Sequence, residues 1–123
     1  MSFLRLAITV DNYKNDNYSC YMVELIKTDI FDHWLSDLRD RQARVRIDLR
    51  VRRLSLGHFG DVKPVGEGIS ELRIHYGAGY RVYFKKHGDQ IILLLCGGDK
   101  STQDKDIKDA KHLAQEWRKS NHD

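Results

Sequence analysis

Long apolar runs are missing from this 123-residue chain. No stretch approaches the ~18 residues of a membrane-spanning helix, and no charged segment followed by a long apolar one opens it. Cysteine is scarce. Cys20 and Cys96 make no disulfide framework, and Cys96 closes an apolar run where a small thiol is at home. The six histidines are scattered, and no Cys/His cluster shows zinc spacing, so neither a metal nor a cofactor is expected. A large charge excess is absent too: 21 basic against 18 acidic residues leave +3, too little to indicate nucleic-acid binding without a biased distribution. These absences describe a cytoplasmic protein of a reducing compartment, with no membrane partner.

What remains is 41% hydrophobic and 32% charged, the composition of one soluble domain whose size permits a core without staples. Residues 1–21 differ from the rest of the chain. "FLRLAITV" suits a strand, but "DNYKNDNYS" is turn-rich and without periodicity, so 1–21 reads as a flexible N-terminal extension to a domain over 22–119. "YMVELI" reads as a strand. Thr28 then suits the N-cap of a helix carrying Phe31, Trp34, Leu35 and Leu38 on one face. A second helix spans about Asp40 to Leu56, with Ala43, Ile47, Val51 and Leu54 in register and Gly57 as its stop.

The period then becomes two. "ISELRIHY" and "YRVYFKK" flank the hairpin turn "GAG"; "HGD" turns the chain again into "IILLLC". The last element is a helix from Ser101 or Thr102 to Arg118, with a stripe of Ile107, Ala110, Leu113, Ala114 and Trp117. The order predicts an α+β fold: a small antiparallel sheet, helices on one face, two of them N-terminal and one C-terminal. "IILLLC", apolar throughout, should be a central strand covered on both sides.

Alternation puts Leu72, Ile74, Tyr80, Val82 and Phe84 on one sheet face. The other presents Arg73, His75, Arg81, Tyr83 and Lys85. A wet face that merely solubilises is the plain alternative. Beyond the central strand, "GGDKST" brings Lys100 to a helix N-terminus, where unpaired N–H groups suit a phosphate. The P-loop spacing of glycine and lysine is absent, so that nucleotide motif is excluded. Arg39 to Arg53 hold seven arginines against Asp40 and Asp48, and arginine forks grip phosphate or carboxylate in two-pronged fashion.

Three segments carry a resemblance: "FGDVKPVGEGISELRI", "GAGYRVYF" and "LLLCGGDKSTQDKDI". They are similar to the HigB-like addiction module killer proteins, a phage-derived branch of the RelE/ParE superfamily of type II toxins, over about residues 22–117. The resemblance implies a RelE/ParE-like toxin fold, a helix-turn-helix antitoxin encoded beside it, and an mRNA endoribonuclease that works on the ribosome without metal and inhibits translation. It implies Arg81 at the scissile phosphate, Arg73 as a second basic strand position and Lys100 as the basic residue after the last strand. Around these three, Lys63, His75, Tyr83, Lys85 and the helical Arg46, Arg50 and Arg53 stand as RNA contacts. In one respect the chain departs from the family. Where RelE has a tyrosine early in its C-terminal helix, this chain has Asp106, so the general base is not carried over. Two other readings stay open: a ParE-like inhibitor of DNA gyrase, and a non-toxic protein that only binds an antitoxin.

Overall fold

The computed structural model describes the backbone of residues 3–12 and 19–120 and the side chains of residues 23–120. Ten elements succeed one another: β1 (Phe3–Asn12), β2 (Ser19–Thr28), α1 (Asp29–Asp37), α2 (Arg41–Ser55), β3 (Val62–Gly66), β4 (Ile69–Ile74), β5 (Tyr80–His87), β6 (Ile91–Gly98), a 3-10 turn (Lys100–Thr102) and α3 (Gln103–Ser120). "FLRLAITV" is indeed a strand; most of "DNYKNDNYS", and the side chain of Cys20, lie outside the described residues.

The strands form one sheet in the order β1-β2-β6-β5-β4-β3. Four neighbouring pairs are antiparallel and one, β2 with β6, is parallel, so the α+β fold is as expected while its sheet is mixed. β3 escaped the sequence reading because "VKPVG" holds a proline and a glycine; it survives as an edge strand with a register shift just after Pro64, both settings in which a proline is tolerated.

The caps explain the helix bounds. Thr28 accepts a hydrogen bond from the Phe31 N–H at 3.0 Å and donates to the Leu95 carbonyl, fastening the start of α1 to the central strand. Asp40 accepts from the Gln42 and Ala43 N–H groups, and Gly57 in the left-handed region ends α2. Asp99, rather than Ser101 or Thr102, caps the last helical segment through a capping box with Thr102.

The helices divide between the two sheet faces, which corrects the expectation of one helical face. α1 and α2 cover a core of Phe31, Ile47, Val51, Leu54, Leu72, Val82, Phe84 and Leu94. α3 covers the other side, where Ala110, Leu113, Ala114 and Trp117 pack on Ile69, Tyr83, Leu93 and Leu95. The physical reason lies in α3, whose apolar stripe needs a sheet face once α1 and α2 occupy theirs. β6 is central, as its unbroken apolar run implies: Ile92 and Leu94 face one core, Leu93 and Leu95 the other. A bulge opposite Tyr83 and Phe84 sets Leu95 and Cys96 both toward α3, re-phasing the strand so that Gly98 faces that helix.

Candidate functional site

The arginine-bearing strands meet at one end of the sheet. β4 pairs with β5 so that Arg73 stands opposite Arg81, and β5 pairs with β6 so that Arg81 stands opposite Gly98, two residues before Lys100. Gly79 lies beside Lys100, where an added Cβ would be in ordinary van der Waals contact, 3.5 Å from the lysine Cβ, so the hairpin turn borders the same corner. Like charges directly opposite each other destabilise a ladder unless something stands between them. Here Glu71 does. Its Oε1 accepts from Arg73 Nε at 2.9 Å, and its Oε2 lies 3.8 Å from Arg81 Nε.

Glu71 is wholly buried, its carboxylate also accepting from the Tyr83 hydroxyl (2.9 Å) and the Gln103 amide (2.8 Å). Burial pushes its pKa up, but the bonds from Arg73, Gln103 and Tyr83 and the charge of Arg81 outweigh burial and hold it below the usual glutamate value. One carboxylate thus joins β4, β5 and the first turn of α3. Arg73, Arg81 and Lys100 share this corner with Glu71, with Asp99 and Asp106 at the turn into α3 and with Asp61 beside Arg73, and Lys100 is its most exposed cation.

The glycine pair sets the floor. An added Cβ at Gly97 would strike the Trp34 ring at 2.3 Å, and one at Gly98 would strike Asp106 Oδ2 at 1.8 Å, so each residue is bare for the helix it faces. Asp106 is buried and accepts from Thr102 Oγ1 at 2.5 Å; burial raises its pKa against that bond. Lys100 is exposed in the turn that Asp99 caps.

The residues expected to contact RNA are scattered more widely. Tyr83 needs correction: it is wholly buried under α3 and bonded to Glu71, so its ring presents no face to a base. Arg50 is likewise turned inward, its Nη1 donating to the Arg73 carbonyl (2.7 Å) and its Nη2 to the Phe59 carbonyl (3.3 Å), which clamps the loop before β3 onto β4. Arg46 lies over the Tyr76 ring, 4.5 Å from its centroid. Arg53 is exposed on α2. His75 is exposed and bonded to Asp61, whose pKa that bond lowers. Lys63 is exposed on β3, paired in register with Glu71. Lys85 sits further along β5, half-buried beside Gly68.

Sequence reasoning missed the bridging role of Glu71, the reach of Gln103 to it, and the contact of Asp106 with Thr102 and Gly98. The signal for Glu71 was present: in "ELRI" it shares a strand face with Arg73, and the helix N-terminus had to land on that face for Gln103 to reach it.

Residues 33–119 match the family model described as "Phage derived protein Gp49-like (DUF891)". The chain belongs to this Gp49-like family, a family of addiction-module toxin-like proteins. A further likeness is 59% identity over 92 residues to an uncharacterized protein of Haemophilus influenzae, covering 74% of this chain and 93% of that one. No solved structure matches. Membership in the Gp49-like family brings the expectation of an antitoxin partner, and no described helix is long and apolar enough to cross a membrane.

Proposed function

We propose that this Gp49-like protein is the toxin of a type II toxin–antitoxin pair and cleaves mRNA on the ribosome. The observation that carries the reading is the register: Arg73 opposite Arg81, and Arg81 opposite the strand end that delivers Lys100. Cleavage without metal needs the 2′-oxygen to bond to phosphorus while the bond to the 5′-oxygen breaks. A proton leaves the 2′-hydroxyl and another reaches the departing 5′-oxygen. Between these events the phosphorane carries extra negative charge, and fixed cations at that point supply the largest share of catalysis.

Arg81, Arg73 and Lys100 supply those cations. Glu71 hydrogen-bonds Arg73 by its Nε edge and lies 3.8 Å from that of Arg81, which orients both guanidinium groups; the Arg73 side chain is 27% exposed and that of Arg81 11%. Arg81 Nε is itself buried without a hydrogen-bond partner and faces the Glu71 carboxylate as an ion pair. Lys63, Lys85, Arg46, Arg53 and His75, spread beyond this corner, are the more distant RNA contacts of this reading, with the ribosome meeting the arginine-rich α2.

Alanine at Arg73, Arg81 or Lys100 should relieve growth arrest on induction by more than the loss of folded protein, followed by circular dichroism and thermal unfolding, accounts for, Lys100→Ala leaving the fold least disturbed. Variants that still stop translation as fast as the parent would refute the assignment.

A second reading has one observation in its favour: Glu71 neutralises part of the arginine charge, which suits a toxin that acts by binding, such as a DNA gyrase inhibitor. DNA synthesis falling first, with intact messages, would select it.

A further inference from the structure

α2 carries two apolar seams. Ala43, Ile47, Val51 and Leu54 are buried against the sheet, which is the seam a surface helix needs. The second seam is Val45, Leu49 and Leu56, at helical spacings of four and seven residues. At 100° per residue it lies across the helix from Ile47 and Leu54, where polar residues belong. These side chains are 57%, 44% and 44% exposed. Val45 and Leu49 also wall an open groove of about 460 Å³ that runs between α2 and β2, floored by Leu25 and Val51 and edged by Lys27, Asp48 and Arg52. An apolar strip of this kind on a water-facing helix marks a surface that something else covers.

The charges say what kind of partner fits. α2 holds six arginines and one aspartate, Asp48. Arg41 and Arg52 lie in line with the seam, at four residues before Val45 and three after Leu49, and both are exposed. A second copy of this chain is a poor occupant, since pairing the seam with itself brings Arg41 and Arg52 of one copy against those of the other. Nucleic acid is poor too, because a phosphate backbone offers nothing to three exposed aliphatic side chains. An amphipathic helix satisfies both features when its apolar residues fill the groove and its carboxylates meet Arg41 and Arg52.

We propose that the α2 seam and the groove beside β2 dock an acidic amphipathic helix of the neutralising partner protein. This rests on the reading of the chain as a toxin with an antitoxin.

The test is isothermal titration of the antitoxin encoded beside this chain into the full-length protein. Leu49→Glu and Val45→Glu should each weaken binding about 30-fold or more, as central contacts do, and Arg41→Ala with Arg52→Ala should weaken it further at low salt than at high salt. Circular dichroism and thermal unfolding check that these exposed substitutions leave the fold intact. Unchanged affinity of Leu49→Glu overturns the docking surface while the toxin reading stands. Sedimentation that shows a wild-type dimer, abolished by Leu49→Glu, overturns it as well, in favour of self-association. Failure of the wild-type chain to bind the antitoxin overturns the toxin reading and this proposal together.

Discussion

Arg73 and Arg81 face each other across the β4–β5 ladder, and the Glu71 carboxylate, two residues from Arg73 on the same strand, touches the first and lies 3.8 Å from the second. The pairing exists because a buried anion offsets it. Replacing Glu71 with glutamine keeps the shape and removes the charge, leaving two arginines opposed with nothing between them. Breaking a buried pair from one side costs about 3–5 kcal/mol, and the retained amide contacts should reduce this to about 2–4 kcal/mol for Glu71→Gln. Urea unfolding measures it. A loss below about 0.5 kcal/mol, the level of an ordinary surface change, would show that Glu71 does not hold the corner.

The same carboxylate gives the protein an acid limb. Its pKa when folded lies below the 4.5 of a free glutamate, so its stabilisation is complete above that value and is lost as pH falls through the folded one. Asp106 has the opposite sign. Burial raises its pKa, so its charge weakens the fold as pH climbs from 3.8 through the raised value, and the cost persists above it. Stability curves between about pH 3 and pH 7 separate the two by this linkage. Glu71→Gln should flatten the acid side, whereas Asp106→Asn, whose amide oxygen still accepts from Thr102, should raise the neutral side.

Gly98 is bare because Asp106 fills the space where its Cβ would be. Gly98→Ala should therefore cost about 1–3 kcal/mol, the usual penalty for overpacking. Adding Asp106→Ala should recover part of that loss. Thermal unfolding of the two single variants and the double variant reads the coupling, and strictly additive losses would contradict the close approach.

Tyr83→Phe tests the correction made to the RNA-contact residues. The hydroxyl donates to Glu71 inside the core, so its removal should cost about 1–2 kcal/mol through a less satisfied carboxylate. Growth arrest should weaken only as far as the folded fraction does. Arrest that vanishes while the protein stays fully folded would return Tyr83 to the RNA surface.

The fold was largely legible in the sequence. Thr28, Asp40 and Gly57 announced two helices, the period-two runs announced β4 and β5, and the unbroken "IILLLC" announced a central strand. β3 was hidden because its proline and glycine look like loop, and an edge position is what tolerates them. The two-sided burial of the sheet was harder to read. Alternation shows that Arg73, Arg81 and Tyr83 share a face, but which helix lands on that face depends on α3, a long-range choice no local pattern encodes. Once α3 covers it, Tyr83 becomes core, Gln103 reaches Glu71, and the exposed arginine face contracts to a corner. Arg50 shows the same limit: an arginine on a charged helix looked free, and three-dimensional closure turned it onto the carbonyls of Arg73 and Phe59.

The proposed role of Arg81 is tested most directly by mapping transcript 5′ ends after induction of the parent and of Arg81→Ala, with translation running and with translation blocked. New 5′-hydroxyl ends inside translated reading frames, lost in Arg81→Ala and lost when ribosomes are stalled before elongation, are the expected result. Growth arrest by the parent with every message intact would contradict it.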